Sequence, residues 1–421
     1  MRSRYFLLIP LFLLSYLNVY AQQITELKIE GCKRTDVEFI RKIVEVRAGQ
    51  QLDSTQIAED ILRLKRLEPV ASASFTVSTL VEGGYEVTYQ LVENFTIIPG
   101  FNVYTTQNEE VAWRVSLFDF NFLGQNHIVG GFFLRDIFNS YGVYYEAPFL
   151  FSREWGMSVN HTQNTRLEPV FFPDNTTDFK YSNSSFEAFA IYQPDFNNRF
   201  EFGGSYFDES YTYIEQQGLP TPPLTDVSGQ HLRLRISHLN TDVDIQYQYL
   251  EGREFETDLN ITNEANENLS NFFLGRFNFR YYKRLGEKGN LAHRSQAFFA
   301  SNNDAIFAPF VLDNNLNIRG VGNKIDRGTA GLVFNTEYRH TLFEKDWFVI
   351  QSNVFIDAGS WRNPGGDLSD LVDIDNIRFH PGAGIRFIHK RIFNAVVRID
   401  YGYGIGKGDA RGFVIGIGQY F

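Results

Sequence analysis

The residues with the clearest chemical potential lie in one stretch of the chain, residues 317–359. It begins with the segment N-I-R-G-V-G and continues through two segments that alternate apolar and polar residues, 331–340 and 349–359. With the period of two that a strand has, Glu337 and Asp357 fall on the polar faces of these segments. Arg319 precedes them, and its guanidinium fork can bind two carboxylates by charge-assisted hydrogen bonds. The pattern predicts an ionic contact between a loop and two strands.

Catalytic chemistry has little support. The eight histidines are scattered, without an H-E-x-x-H pattern or the spacing of another metal site. The chain also lacks a G-x-S-x-G nucleophile elbow and a glycine-rich phosphate loop. We therefore expect no enzyme activity and no cofactor, metal or nucleotide.

The elements that must position these residues are short alternating segments rich in aromatic side chains. Beyond residue 21 no run of about 18 apolar residues occurs, which excludes a membrane protein built of helices. Phe, Tyr and Trp nevertheless make up 16% of the chain. Alternating segments with abundant aromatics are typical of transmembrane β-barrels, which carry aromatic girdles at both membrane interfaces.

The N-terminal residues predict export. Arg2 and Arg4 precede an apolar run over residues 5–17, and Ala21 stands at the expected cleavage position, so residues 1–21 are predicted to be a cleaved signal peptide. The remaining chain has 37 Lys and Arg against 50 Asp and Glu, a formal charge of -13. An acidic exported chain argues against nucleic acid as a partner. Cys32 is the only cysteine, so no internal disulfide can form.

Residues 22–94 differ from the rest. They predict the order strand, helix, helix, strand, strand, with Thr35 as a cap of the first helix and Asp53 or Ser54 at the start of the second. With the pattern G-x-x-L-x-x-x-x-I-x-x-D-x-x-x-L at 49–64, this segment resembles a polypeptide-transport-associated (POTRA) domain. An ordinary small α+β domain is the alternative.

Residues 95–421 predict an antiparallel transmembrane β-barrel of about 16 strands, each near or above the 9 to 11 residues that a tilted strand needs. The segments are 95–105, 111–121, 127–136, 140–150, 155–164, 179–193, 199–212, 229–240, 242–252, 272–285, 290–301, 328–342, 347–360, 377–389, 394–405 and 412–421. Longer connections, including 165–178 and 253–271, alternate with tight turns. Because short turns face the periplasm in outer-membrane barrels, the N-terminal domain is expected there. The last strand is expected to pair with the first.

Several motifs resemble one family of barrels. They are the N-I-R-G-V-G loop, the Glu337 strand, F-I-D-A-G at 355–359, H-P-G-A-G-I-R-F at 380–387, R-I-D-Y-G at 398–402 and the final G-F-V-I-G-I-G-Q-Y-F. The chain resembles the BamA/TamA-like outer-membrane assembly factors, also called the bacterial surface antigen family. The resemblance implies that the loop folds back into the lumen, with Arg319 and Gly320 matching its motif and Glu337 and Asp357 as acidic partners. The chain has Val321 at the position where the motif of the family usually has an aromatic residue.

Further charged residues fall on the alternate strand positions that are predicted to face the lumen. Arg386, Arg398 and Asp400 alternate with apolar residues on late strands, and an arginine facing lipid at the bilayer midplane would cost about 2–4 kcal/mol. We expect them to form a polar lining of the lumen. Phe421 ends an aromatic-rich last strand, which resembles the C-terminal signal by which barrels are recognised for assembly.

The predicted fold class is therefore an all-β membrane protein, a 16-stranded barrel preceded by a small α+β POTRA-like periplasmic domain, in the outer membrane of a Gram-negative bacterium. The resemblance implies insertion of barrel proteins or translocation of polypeptides. Expected partners are unfolded outer-membrane or secreted polypeptides, outer-membrane lipid and accessory lipoproteins. The alternatives are a two-partner-type secretion transporter for one client, which usually has two POTRA domains and a plug helix, and a diffusion porin, which has no periplasmic domain.

Overall fold

A computed structural model of the chain describes residues 23–421 except 106–110, 172–175, 216–220, 223, 264–270, 304–307, 313–316, 322–325, 394 and 407–409. The predicted signal peptide, residues 1–21, lies outside the described residues. The chain divides into two compact units. The first contains the described residues up to Asn94 together with Leu123–Gln125, and the second contains Phe95–Phe122 and Asn126–Phe421. No helix in the described part is long and apolar enough to span a membrane.

The first unit is a three-stranded sheet with two helices. Its elements follow the predicted order: β1 (Ile24–Glu30), α1 (Val37–Ile43), α2 (Ser54–Lys65), β2 (Val70–Thr79) and β3 (Tyr85–Glu93). β3 is central, parallel to β1 and antiparallel to β2. The assignment of this unit as a POTRA-like domain stays a prediction.

The helix caps of this unit differ in one place from the prediction. Asp53 caps α2 as expected, and its carboxylate accepts the N–H groups of Thr55 and Gln56. The cap of α1 is Asp36, not Thr35, and it accepts the N–H of Glu38. The reason is that the backbone N–H of Thr35 donates to Glu93 of β3, which fixes Thr35 one residue ahead of the cap.

A buried carboxylate organises the core of the first unit. Asp60 on α2 is fully buried and accepts hydrogen bonds from the backbone N–H groups of Glu45 and Val46 and from the hydroxyl of Tyr89. It therefore ties the segment after α1 to both α2 and β3. Cys32 is half-buried, and its burial, followed by the charges of Glu93 and Asp36, raises the pKa of its thiol to about 11.

The second unit is an antiparallel sheet of 16 strands, which confirms the predicted count. Its strands are β4 (Ile97–Thr105), β5 (Val111–Phe122), β6 (His127–Arg135), β7 (Asn139–Ala147), β8 (Trp155–Phe171), β9 (Thr176–Tyr192), β10 (Asn198–Tyr213), β11 (Asp226–Gln246), β12 (Tyr249–Asn263), β13 (Phe272–Leu285), β14 (Gly289–Ala300), β17 (Ala330–Glu344), β18 (Phe348–Arg362), β19 (Ile377–His389), β20 (Val396–Tyr403) and β21 (Arg411–Ile417). Between β14 and β17, β15 (Phe310–Leu312) and β16 (Asp326–Gly328) form a separate hairpin.

One predicted strand and two predicted loops are wrong because strands β8, β9, β11 and β12 extend beyond their predicted ends. β11 runs on to Gln246 and turns at Tyr247, which has a positive φ of 56°, so the predicted strand 242–252 is split between β11 and β12. Most of the predicted loops 165–178 and 253–271 also belong to strands β8, β9 and β12. These extensions are rich in polar residues, and the backbone ladders with the neighbouring strands continue through them.

The ends of the sheet also differ from the prediction. β4 and β21 are the two ends of the strand order, and among the described residues no ladder joins them. β21 ends at Ile417, after which Gly418 has a φ of 87° and turns the chain out of the sheet. The start of β4 contacts the β19–β20 turn, where Phe95 forms a bridge with Ile392. The barrel is nearly closed.

Candidate functional site

The buried, described part of the loop between β14 and β17, which includes residues 317–321, lies inside the barrel and brings Arg319 to the wall. Ile318 and Val321, which flank the Arg-Gly pair, are buried in an apolar cluster with Leu312, Val333 and Trp361. This cluster joins the β15–β16 hairpin to the inward faces of β17 and β18. Apolar packing of the residues before and after the Arg-Gly pair therefore fixes the position along the barrel wall at which the Arg319 side chain contacts it.

Two facing glycines allow this close approach. Gly320 has a φ of 90°, and a Cβ built there would lie 2.5 Å from the backbone of Gly402 on β20. A Cβ on Gly402 would lie 2.2 Å from the carbonyl oxygen of Arg319. Neither position has room for a side chain, since real Cβ contacts are not that short. Glycine at both positions lets loop backbone pack directly on strand backbone.

Arg319 is fully buried and forms the predicted contacts with both acidic residues. Its Nε and Nη2 donate to Asp357 Oδ2 and Oδ1 at 2.8 and 2.9 Å, and its Nη1 donates to Glu337 Oε2 at 2.8 Å. Its backbone N–H also donates to Asp357 Oδ2, at 3.0 Å. We call Arg319, Glu337 and Asp357 the clasp, because they join the loop to β17 and β18 at one point.

The inward charges predicted as a general polar lining converge on the clasp. Arg386 on β19 donates to both carboxylate oxygens of Glu337, at 2.7 and 2.8 Å. Asp400 on β20 lies 3.7 Å from Arg319 Nη1, and Arg398 bonds to Asp400 at 3.3 Å. The structure therefore brings Arg319, Glu337, Asp357, Arg386, Arg398 and Asp400 into one cluster that spans strands β17 to β20.

Two further residues contact this cluster, although no contact was predicted for them. Asn335 donates from its Nδ2 both to Asp357 Oδ1 and to the carbonyl of Asn317 in the loop, each at 2.7 Å. Its Oδ1 accepts from Arg294 of β14 at 2.9 Å. Arg339 bonds to Glu337 through its Nε. The alternation of the sequence places Asn335 and Arg339 on the same inward face as Glu337, but their contacts depend on the loop and on neighbouring strands.

Two aromatic rings lie close to the Arg319 guanidinium. The ring of Phe355, on the inward face of β18, is centred 3.6 Å from Arg319 Cζ, and the ring of Tyr420 is centred 4.5 Å from it. Cation–π contacts of this kind strengthen when water is excluded. Phe355 has the parity of Asp357 and could have been predicted, whereas Tyr420 reaches this position only because the chain turns inward at Gly418.

Phe421 is placed inside the lumen, not at the end of a sheet strand as predicted. Its ring packs near Arg294, its carbonyl oxygen accepts from Arg339 Nη2 at 2.9 Å, and only 9% of the residue is exposed. The turn at Gly418 is the reason. Its role as an assembly signal stays a prediction.

The clasp and its neighbours are suited to holding a loop. Five arginines and three carboxylates form one network, to which Arg294 is linked through Asn335: Arg294, Arg319, Arg339, Arg386 and Arg398 with Glu337, Asp357 and Asp400. Such cation-rich groups repel metal ions, and among the described residues no group of three His, Cys, Asp or Glu is placed to hold one. Multiply hydrogen-bonded buried ions resist separation.

The fold and the site together define the chain as a 16-stranded barrel whose inward loop is bound to the wall through an arginine. No protein-family profile and no curated protein matches its sequence. Solved structures do match. BamA from Haemophilus ducreyi lacking POTRA domains 1-3 is 15% identical, with 93% of this chain and 83% of that chain covered and a TM-score of 0.57.

Two CdiB structures are also similar. CdiB from Escherichia coli is 11% identical over 94% of this chain and 75% of that chain, with a TM-score of 0.63. CdiB from Acinetobacter baumannii is 10% identical over 94% of this chain and 73% of that chain, with a TM-score of 0.57. The chain thus has the fold of BamA and CdiB, and the resemblance to BamA/TamA-like barrels is confirmed at the level of the fold.

Proposed function

We propose that this chain is an outer-membrane protein that handles other polypeptides, either inserting β-barrel proteins into the outer membrane or moving a polypeptide across it. The clasp is the observation that carries the proposal. It places a loop arginine on two strand carboxylates within the fold shared with BamA and CdiB. BamA acts in β-barrel insertion and CdiB in two-partner secretion, so both neighbours handle polypeptides. No catalytic activity is part of the proposal.

The first unit supports a polypeptide client through an unprotected strand. β2 is an edge of its sheet and contains no Lys, Arg, Asp or Glu. Its residues from Ser74 to Thr79 are exposed, including Phe75 and Val77. The opposite edge, β1, carries Glu26, Lys28 and Glu30. Because natural proteins protect edges with charges, the uncharged edge is the one suited to adding a client strand by β-augmentation.

The two ends of the barrel sheet support a second point of contact. β4 and β21 form no ladder with each other in the described part of the chain, so each has backbone N–H and C=O groups on one side that no described strand pairs. In hydrocarbon such groups are costly, which favours pairing with another strand. We propose this seam as the place where a client enters, with the first unit in the periplasm delivering it.

Depletion of the protein, followed by quantitative comparison of the outer-membrane and secreted proteomes, tests the proposal. A strain complemented with the wild-type chain is the control. Loss of several barrels from the outer membrane would support insertion. Loss of one secreted protein with barrels intact would support the second candidate, a dedicated secretion transporter, for which the TM-score of 0.63 to CdiB is the favouring observation. Unchanged proteomes with altered uptake of small solutes would contradict both.

A variant of the first unit tests the edge separately. Val77→Lys places a charge on the exposed part of β2, where it opposes strand addition. Lys28→Gln on β1 is the control. We expect only Val77→Lys to reduce photo-cross-linking of an unfolded barrel polypeptide to the full-length chain. Equal cross-linking by both variants would exclude β2 as the docking edge.

A further inference from the structure

The residues after β21 leave the barrel wall in a defined way. Gly418 adopts a φ of 87°, a conformation that favours glycine, while its N–H still donates to Val396 of β20 at 2.7 Å. β21 is thereby anchored up to the turn, and Gln419–Phe421 are directed into the lumen. We call these three residues the inner strap. Tyr420 and Phe421 are both buried, with 7% and 9% exposed.

The strap reaches across the lumen. On one side Tyr420 faces Arg319 of the clasp and Arg398 of β20, with ring-to-Cζ distances of 4.5 and 4.7 Å. On the other side Tyr420 and Phe421 form a buried apolar cluster with Val243, Tyr282 and Ala292. Those three residues belong to β11, β13 and β14 and lie close to the short turns 247–248 and 286–288. The strap therefore spans the lumen at the end where the short turns are.

The charge of the cluster explains why aromatic rings bind there. Rings of the strap face several of these buried arginines, and the negative face of an aromatic ring stabilises a buried cation. The Arg294 Cζ lies 5.3 Å from the ring centre of Tyr420 and 5.0 Å from that of Phe421. Arg339, which also bonds to Glu337, donates to the carbonyl oxygen of Phe421 at 2.9 Å.

We propose that Arg294, Arg319, Arg339 and Arg398 form a binding site whose ligand is the inner strap of the same chain. Bound there, the strap closes the lumen at the end with the short turns. Through the ring of Tyr420 it also holds Arg319 on Glu337 and Asp357, so release of the strap weakens the clasp. This inference does not depend on the proposed function, because it concerns only closure of the lumen and the stability of the loop.

Tyr420→Ala tests the strap in the full-length chain refolded into planar lipid bilayers. A desolvated cation–π contact is worth about a tenfold factor in an equilibrium. We therefore expect about a tenfold increase in the fraction of time that the lumen conducts ions. Tyr420→Phe keeps the ring and should behave like the wild type. Phe413→Ala is the matched control, because Phe413 lies on the outward face of β21 and is 69% exposed.

Hydrogen exchange is a second measurement, and a change in pore size alone would not alter it. The backbone N–H of Arg319 is bonded to Asp357, so the loop peptide that contains it should exchange about tenfold faster in Tyr420→Ala, and at the wild-type rate in Tyr420→Phe and Phe413→Ala. Folding of each variant is checked by heat-dependent migration on gels. Wild-type conductance and exchange in a folded Tyr420→Ala would overturn the proposal, as would equal changes in Phe413→Ala.

Discussion

Opposite walls of the barrel use charge in different ways. On β17 to β20 the arginines and carboxylates are buried against the loop, and each carboxylate contacts more than one donor. On β8 to β13 the charged residues form pairs such as Arg235–Asp258 around a cavity of about 870 Å³. We call the first the clasp wall and the second the cavity wall. The alternating pattern of the sequence is the same in both.

The difference shows that burial, and not the number of charges, decides what a lumen charge does. A buried pair that loses one partner leaves an unsolvated ion, whereas a pair beside water is screened and contributes little. The clasp wall therefore acts as a joint that fixes the loop. At the cavity wall, partly exposed pairs such as Arg235–Asp258 lie beside an open volume, so we expect them to contribute little to stability.

The largest expected effect separates the two walls directly. Asp357→Ala leaves Arg319 buried without its bidentate partner and should lower the free energy of unfolding of the barrel by about 3–5 kcal/mol. Asp258→Ala on the cavity wall removes the partner of Arg235, which is partly exposed, and should cost about 0–1 kcal/mol. Guanidinium titrations in lipid vesicles measure both. Equal losses would remove the distinction between the walls.

Backbone packing on the clasp wall gives a smaller effect. Gly402→Ala places a Cβ 2.2 Å from the carbonyl oxygen of Arg319, so the loop must shift, at a cost of about 1–3 kcal/mol. Gly412→Ala on the neighbouring strand is the control, since a Cβ there meets no atom within 4 Å. Hydrogen exchange of the loop should increase only in Gly402→Ala. Unchanged exchange in that variant would mean that the loop does not rest on β20.

Two phenylalanines with nearly equal burial, one on each wall, allow the walls to be compared. Phe355 and Phe207 are 4% and 3% exposed, and each ring faces an arginine, Arg319 at 3.6 Å and Arg233 at 4.7 Å. Phe→Leu at both positions removes similar apolar area. Because the Arg319 contact is desolvated and closer, Phe355→Leu should cost about 1 kcal/mol more than Phe207→Leu in the same titration. The reverse order would show that the ring contact with Arg319 adds nothing.

The smallest effect on stability is expected at Arg276 of the cavity wall, whose side chain is exposed to the cavity and lies 5.5 Å from the ring of Phe310. Arg276→Glu should change the free energy of unfolding by less than about 1 kcal/mol. In the conducting Tyr420→Ala background it should shift the reversal potential towards cation selectivity. A large loss of stability would show that the cavity wall is also tightly bound.

Predictions from the sequence were correct where they depended on one strand alone, such as which side chains face the lumen. Alternation alone places Glu337, Asp357, Arg386 and Asp400 inside the barrel, and the structure buries all four. It also places Phe334 and Ile356 outside, where they are exposed. The period of a strand is fixed by its geometry, so no tertiary information is needed for this step.

Other features could not be predicted from one strand alone. The convergence of Arg386 and Arg398 on the clasp follows from the register of β18, β19 and β20, which one sequence does not encode locally. The strand end at Gln246 was missed because the turn at Tyr247 lies within a segment predicted as strand. The end of β12 at Asn263 was missed because residues 253–263 are rich in polar residues and were predicted to be a loop. The inward turn at Gly418 was missed because a glycine in a strand pattern does not reveal the sign of its φ.

We propose that the clasp is required for handling polypeptides. The substitution Arg319→Lys tests this requirement. Lysine keeps the charge of Arg319 but cannot form the bidentate bonds to Asp357 or reach Glu337 at the same time. The depleted strain is complemented with Arg319→Lys or with Arg235→Lys from the cavity wall, with folded barrel quantified for each. We expect that Arg235→Lys restores the proteins lost on depletion and that Arg319→Lys does not. Full restoration by folded Arg319→Lys would contradict it.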